Sequence, residues 1–437
     1  MSPPRSALVP PWPVKVFAVD DTSAQLVWRA SPAEGLRLEI GGHVLSPASV
    51  APAELALSWL VDKGLPATSG PRRHPFHKCL GLARRRPLDP AWPGGPGAVV
   101  VNGLSPATSY EVVASADGAS PFLACRLRTL RAPEGRLLTC FATVSDVHIG
   151  DRQFGVMGRI QDPSRVPGGD GRAETGRTFG ERALAAAIAE AAAWGAQLLV
   201  VKGDLTRMTV PAEVREFARL LASSPVPVEV MLGNHDNKLG VNVHAILQAQ
   251  GFSVPWSPVA RDIPGLRLVL ANTNAADTRV HRGHLDPAIS HRLTAIAAEA
   301  ADVGTPVWVG LHHPPEMHPF PTVYPPGIPY GESQIFLRTL ANSQPASMVS
   351  CGHRHRNRRY ELGPLVISEV SSTRDYPGVW AGYRVFEGGI VQVVRRTSRT
   401  DVIAWTEATR RAVNGQWARW SPGRLSDRCF SVEWART

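Results

Sequence analysis

Five short apolar runs rich in β-branched residues punctuate the middle of the chain, and each gives way to a polar cluster. They are LLTCFATV before Asp146, AQLLVVK before Asp204, VPVEVML before Asn234, PVWVG before His312 and ASMVSC before His353. Runs this short that end in glycine or polar residues predict buried central strands. Helical periods fill the gaps. ERALAAAIAEAAAW (Glu181 to Trp194) is alanine-rich and is followed by Gly195 as its terminator. PAEVREFARLLAS opens on a proline suited to a first turn and sets Val214, Phe217, Leu220 and Leu221 on one face. DPAISHRLTAIAAEAA and SQIFLRTLAN predict two more helices. Alternation of strand and helix from about Leu137 to Cys351 predicts a layered α/β core, with the polar clusters converging at the carboxyl ends of its strands.

Those clusters occur in a fixed order: SDVH (Ser145 to His148), GDLT (Gly203 to Thr206), GNHD (Gly233 to Asp236), LHHPP (Leu311 to Pro315) and GHRH (Gly352 to His355). Singly each is common. As a set they form an inventory of metal ligands, because carboxylate, neutral imidazole and amide oxygen suit Mn, Fe, Zn or Mg, and a carboxylate can bridge two ions. DVH spaces its carboxylate and imidazole two residues apart, and HRH does the same for its two histidines. In extended geometry each pair projects from one face of a strand end. A loop with glycine at its start, as in GHRH, can turn tightly enough to aim each histidine at a different ion of a pair lying about 3.5–4 Å apart.

With these motifs in view, the stretch from about Arg136 to Arg396 resembles the calcineurin-like metallophosphoesterases, and GDLT followed by GNHD is most similar to their class III cyclic-nucleotide phosphodiesterase branch. The resemblance implies an α/β (α+β) fold, a four-layer sandwich of β-sheets flanked by helices. It implies that Asp146, His148 and His355 hold one metal, that Asp204 bridges, and that Asn234, His312 and His353 complete a second site. His313 falls behind the ligands, orienting them. Two divalent cations would acidify a shared water and neutralise the phosphate oxygens. His235 is then the residue to protonate the leaving group, with Asp236 orienting it.

Departures from neighbouring families narrow the expectation. GDLTRM lacks the tyrosine that follows this element in purple acid phosphatases, and GDLTRM with GNHDN departs from the GDYVDRG and GNHE of phosphoprotein phosphatases. Hydrolysis of a phosphodiester is the favoured reading. A phosphomonoesterase or nuclease with the same site, and a non-catalytic scaffold retaining the fold, are the alternatives.

The first part of the chain alternates with period two. KVFAVDDTSAQLVWRA and GAVVVNGLSPATSYEVVASADG predict hairpins of an all-β sandwich over residues 10–131. LSPATSYEVVA resembles the turn and tyrosine strand of fibronectin type III domains, and Trp28 is expected in the core. A Pro-, Arg- and Gly-rich insertion occupies about 47–96 and contains a candidate helix, AELALSWLVDKG. The catalytic domain is assigned to 136–396. Tryptophans 405, 417, 420 and 434 predict that 397–437 packs back onto it. Two further inserts flank the clusters: a glycine-rich charged stretch from Asp151 to Gly180, and EMHPFPTVYPPGIPYGES, whose Phe320, Tyr324 and Tyr330 offer flat faces for a leaving group.

Charge and cysteines change the picture little. A net charge of +10 over 437 residues invites a nucleic-acid reading, but the basic runs are scattered, and only RHRNRR (Arg354 to Arg359) falls beside the metal motifs. Arg354 and Arg356 are candidates for contacts to phosphate oxygens. A small phosphoester is therefore favoured over nucleic acid, with self-association left open. Five cysteines without CxxC spacing indicate neither a disulfide framework nor a zinc ribbon. The chain has no apolar run long enough to cross a bilayer and no signal-peptide pattern, so a cytoplasmic protein is expected.

Overall fold

A computed structural model describes residues 14–31, 35–49, 94–117, 119–155, 160–162, 178–237, 240–275, 281–342, 345 and 347–434. The candidate helix AELALSWLVDKG, with His74, His77 and Cys79, lies outside the described residues, as do 156–159 and 163–177 of the glycine-rich insert.

Two sheets form the amino-terminal sandwich. β1 (Lys15–Val19), β2 (Ser23–Trp28) and β5 (Gly97–Asn102) make one, and β3 (Arg37–Ile40), β4 (His43–Leu45), β6 (Ser109–Ala116) and β7 (Ala119–Arg128) make the other. Trp28 is buried in this sandwich, as the alternation predicts, and its indole N–H donates to Ser49 Oγ at 3.0 Å. Tyr110 Oη accepts from the backbone N–H of Ser105 at 2.8 Å, pinning the turn before its strand.

The larger part of the chain stacks two six-stranded sheets face to face. In the first, β8 (Leu137–Val144), β11 (Leu199–Lys202) and β12 (Val228–Met231) run parallel, after which β19 (Val379–Phe386), β20 (Gly389–Arg396) and β21 (Cys429–Glu433) continue antiparallel, in the order β12-β11-β8-β19-β20-β21. A small hairpin, β9 (Gln153–Phe154) with β10 (Ile160–Gln161), lies in the insert after β8. The second sheet has the order β13-β14-β15-β16-β18-β17. Its strands are β13 (Val259–Ile263), β14 (Leu266–Leu270), β15 (Val307–Gly310), β16 (Met348–Cys351), β17 (Arg358–Leu362) and β18 (Leu365–Glu369), and β14, β15, β16 and β18 are parallel.

Period-two alternation decides what each face touches. Phe141, Val200, Trp308, Met348 and Tyr383 point between the sheets, where Phe141 stacks on Tyr383 at 4.6 Å and meets Trp308 edge-on at 5.3 Å. Their neighbours Ala142, Leu199 and Val201 face outward onto α1 (Phe179–Trp194) and α2 (Pro211–Leu221), with α3 (Val243–Ala249) beside them. On the other side Val307, Val309 and Val349 pack under α4 (Pro287–Asp302) and α5 (Tyr330–Asn342). The result is helix, sheet, sheet, helix: the four layers expected. α1 begins two residues before the predicted start, because Thr178 and Glu181 form a capping box.

The end of the chain is built into this body. β21 extends the first sheet, while α6 (Thr400–Thr409), α7 (Trp417–Trp420) and α8 (Leu425–Arg428) precede it. Trp405 of α6 stacks on Phe179 at 5.1 Å and donates to the carbonyl of Arg374 at 2.9 Å. The sandwich docks on the same sheet through buried polar contacts. Arg395 reaches Asp20 Oδ2 at 3.1 Å, and the Gln25 side chain brackets the backbone of Arg396. Among the described residues no helix is long and apolar enough to cross a membrane.

Candidate metal centre

All five polar clusters leave the carboxyl ends of β8, β11, β12, β15 and β16, so the stacked sheets deliver them to one place. Sharp turns finish the job. Asp146 (φ 54°), His148 (φ 45°), Asp204 (φ 51°), His353 (φ 69°) and His355 (φ 49°) all adopt left-handed backbone. Such a conformation costs a non-glycine residue ~1–3 kcal/mol, and it persists where the surrounding structure enforces it for a purpose. The extended geometry expected for DVH and HRH is therefore replaced by alternating left-handed turns, which bring each pair together by folding the chain under it.

The first group comprises Asp146, His148 and His355, whose ligand atoms lie within 4.8 Å of one another. His355 Nδ1 is hydrogen-bonded to Asp375 Oδ1 at 2.7 Å, so its Nε2 turns to His148 Nε2 at 3.3 Å and to Asp146 Oδ1 at 3.5 Å. On the other side His312 Nδ1 donates to the carbonyl of Lys202 at 2.8 Å, and its Nε2 lies 3.3 Å from both Asn234 Oδ1 and Asp204 Oδ1. His353 closes on this group, and its own N–H donates to both carboxylate oxygens of Asp146 at 3.0 and 3.1 Å. Its Nε2 meets the carbonyl of Pro326 at 3.2 Å, which leaves Nδ1 as the nitrogen available to a metal. Asp204 joins the halves: Oδ2 is 3.7 Å from His148 Nε2 while Oδ1 faces His312.

These donors fit a pair of divalent cations. Imidazole nitrogens and carboxylate oxygens are gathered at 3.3–3.7 Å, an arrangement that repels itself without positive charge at its centre. The proton affinities tell the same story. Burial opposes it, yet the Asp204 carboxylate holds His312 up at about 9, and Asp375 with Asp146 holds His355 well above the ordinary range. Asp204, although buried, is held well below the usual carboxylate range by His312, His235 and His148. Burial and the neighbouring His235 push His148 down, and burial with His312 pushes His353 down. Groups that attract protons so unevenly are groups a metal would reorganise.

The remaining expected residues divide. His235 lies with His148 and Asp204 within the same 4.8 Å span, its ring edge-on to that of His148 at 4.7 Å, and its Nδ1 is paired with the carbonyl of Arg207 at 2.9 Å. Asp236, expected to orient it, instead spends both oxygens on the backbone N–H groups of Leu205, Thr206 and Gly233 and on the Thr206 hydroxyl, at 2.9–3.0 Å. It ties the GDLT loop to the GNHD loop. Burial and the nearby Asp204 raise its carboxyl to about 6. His313 bonds Thr273 Oγ1 through Nδ1 at 2.8 Å, and its buried Nε2 has no hydrogen-bond partner. It is grouped with His312 and His353 as closely as a ligand would be.

Arg354 and Arg356, expected to meet substrate, are 3% and 7% exposed and are clamped from behind. Glu369 accepts from Arg354 Nη1 at 3.0 Å and from Arg356 Nε, and Glu316 takes the other end of Arg354. Neither glutamate carries a motif that would have announced it.

Sequence reasoning also missed Asp375, which fixes His355, and Trp417, whose indole N–H donates to Asp375 Oδ2 at 3.0 Å. In the sequence Lys202 is no more than the end of the strand AQLLVVK. It is fully buried, and its ammonium donates to Ser350 Oγ and to the Cys351 carbonyl, each at 2.8 Å. The cavity over the site, of about 540 Å³, is walled by Phe154, Tyr324 and Trp417. His281 joins it, its Nδ1 3.4 Å from Asn234 Nδ2. His244, stacked on Trp256 at 3.5 Å, and His284, paired with Glu332, belong elsewhere.

No family model matches the chain, and no curated protein is similar to it in sequence. Solved structures give weak likenesses. A purple acid phosphatase, PPD1 from seeds of yellow lupin (Lupinus luteus), is 10% identical, covers 89% of this chain and 73% of its own, and has a TM-score of 0.39. PhoD is 10% identical over 90% of this chain and 87% of its own, with a TM-score of 0.36. A phosphopantetheinyl hydrolase from Mycobacterium tuberculosis is 14% identical over 55% of this chain and 91% of its own, with a TM-score of 0.34. The case for the chemistry is the constellation itself.

Proposed function

We propose that this protein hydrolyses phosphoesters with a pair of divalent cations, and that its substrate is a phosphodiester. One observation carries the reading: the two oxygens of Asp204 face different imidazoles, His312 at 3.3 Å and His148 at 3.7 Å, as a bridging carboxylate must. Asp146, His148 and His355 would hold one cation, and Asn234, His312 and His353 the other. Bound there, the pair supplies an acidified water and shields the phosphate oxygens.

The chain's own groups do the rest. Asp375 and the Lys202 carbonyl lock the tautomers of His355 and His312, so that each offers Nε2 to the centre. His235, whose Nδ1 pairs with the Arg207 carbonyl and whose ring lies beside His148 and Asp204, gives a proton to the departing oxygen. Tyr324, Trp417 and Phe154 line the cavity, the last two edge-on at 5.4 Å, and offer aromatic surface to the organic groups of a diester.

Charge supports a diester over a monoester. Arg207 and Arg374 share the single carboxylate of Asp151, and Arg354 is held between Glu316 and Glu369, so most of the arginine charge lining this cavity is already spent. A terminal phosphate dianion would find little beyond the metals to balance its second charge, whereas a diester monoanion needs none.

Protein stripped and reloaded with Mn, Fe, Zn or Mg should cleave bis-p-nitrophenyl phosphate with a higher kcat/KM than p-nitrophenyl phosphate. Protein that carries two ions per chain and hydrolyses neither ester would refute the reading.

A further inference from the structure

A second cavity, of about 490 Å³, adjoins the metal cavity. Consecutive residues divide between the two: Val323 and Arg356 line the second, Tyr324 and His355 line the first, and Arg354 lines both. Five arginines face the second cavity against the carboxylates of Glu316 and Asp427. Both acids are occupied. Glu316 holds Arg354, and Asp427 accepts the backbone N–H groups of Arg359 at 3.2 Å and Arg424 at 2.7 Å. Arg354 and Arg356 are spent on Glu369 beneath. Arg358, Arg419 and Arg424 remain, exposed around the cavity and without a carboxylate in ion-pair range among the described residues.

Three like charges set around one concavity repel one another and focus a positive potential into it. Guanidinium forks match phosphate oxygens in pairs. The rest of the lining mixes the polar His318, Thr322 and Asn357 with the apolar surfaces of Met317, Val323, Tyr360 and Trp420. Trp420 stacks under the Arg356 guanidinium at 4.5 Å. A volume of this size takes a phosphate with a small organic group attached.

We propose that this second cavity binds a phosphate-class anion, gripped by Arg358, Arg419 and Arg424. Because Arg354 borders both cavities, the anion is either a second phosphate carried by the substrate or a separate ion. The grip itself does not depend on the phosphodiesterase reading.

The metal-loaded full chain is titrated with sodium sulfate at constant ionic strength, following tryptophan fluorescence, since Trp420 lies in the cavity wall. The expected result is a saturable change that sodium chloride does not produce. In Arg419→Gln/Arg424→Gln, and separately in Arg358→Gln, it should weaken by about tenfold or more. Turnover of bis-p-nitrophenyl phosphate should stay unchanged, because none of the three lines the metal cavity. No saturable change, or wild-type affinity in both variants, overturns the proposal.

A second arm compares the dinucleotide TpT with its 5′-phosphorylated form, pTpT. A preference for pTpT in kcat/KM that the double variant loses assigns the anion to the substrate, and equal values assign it to a separate ion. Failure to cleave either would count against the hydrolase reading, while the sulfate titration still judges the cavity.

Discussion

Asp375 Oδ1 accepts a 2.7 Å hydrogen bond from His355 Nδ1, and that bond selects the ring nitrogen His355 turns toward Asp146 and His148. Removing it frees the imidazole to flip. Asp375→Ala should weaken metal binding on the Asp146, His148 and His355 side by roughly 10–100-fold, while Asp375→Asn, which keeps an acceptor, should lose less. Competition against a chelator measures this. Equal affinity in all three proteins would mean the bond does not orient the ligand.

Gly233 is fixed by what lies against it. A Cβ there would sit 2.3 Å from Asp204 Oδ1 and 2.7 Å from His312 Nε2. Gly233→Ala should therefore push the shared carboxylate out of line and lower activity by on the order of 100-fold. Circular dichroism should be unchanged. Full metal content with wild-type turnover would contradict this placement.

Asn234 and His235 are adjacent, and their variants should part company. Asn234→Ala should reduce metal content. His235→Ala should keep both ions and slow turnover by roughly 10²–10⁴-fold when the leaving group is an alkoxide that needs a proton. With p-nitrophenolate, which leaves without one, the loss should be much smaller. If His235→Ala empties a site, His235 is a ligand, a role its closeness to His148 and Asp204 would allow.

Lys202 gives a pH test. Burial pushes its ammonium down from 10.5 to about 8. Between pH 8 and 10.5 the unfolded chain thus binds the proton that the folded chain has released, so stability rises with pH across that window. Below it both states are protonated, and the full penalty applies. Lys202→Met should remove this rise, which is on the order of a few kcal/mol. Parallel denaturation curves of the two proteins over that range would rule it out.

The docking of the sandwich hinges on a buried charge. Asp20 is fully buried against Arg395, itself 4% exposed. Asp20→Ala should cost ~3–5 kcal/mol because it strands the guanidinium, and Asp20→Ala/Arg395→Met should recover part of that loss. Chemical denaturation of both variants decides. A double variant no more stable than the single one would place the cost elsewhere.

The order of strands and helices, the layering and the meeting of the polar clusters were legible in the chain because each depends on short-range rules. Val307, Trp308 and Val309 alternate faces whatever their partners are, and a glycine before Asp204, Asn234 or His353 marks a tight turn wherever it falls. Ligand chemistry is likewise a property of residue type. The roles of the charged neighbours were not legible. Arg354 and Arg356, in the loop after β16, read as substrate contacts until Glu369 at the end of β18 is seen beneath them.

Residue types and the strand pattern thus pointed the five polar clusters toward one crevice, while the choice of Asp146, His148, Asp204, Asn234, His312, His353 and His355 within them came from the family resemblance. Tertiary structure alone decided which nitrogen each imidazole presents, that Asp236 staples two loops, and that Arg358, Arg419 and Arg424 line a second cavity with no carboxylate in ion-pair range among the described residues. The reason is range. Backbone preference acts over a few residues, whereas hydrogen bonds and charge pairs join groups such as Trp417 and Asp375, which only the packed fold sets side by side.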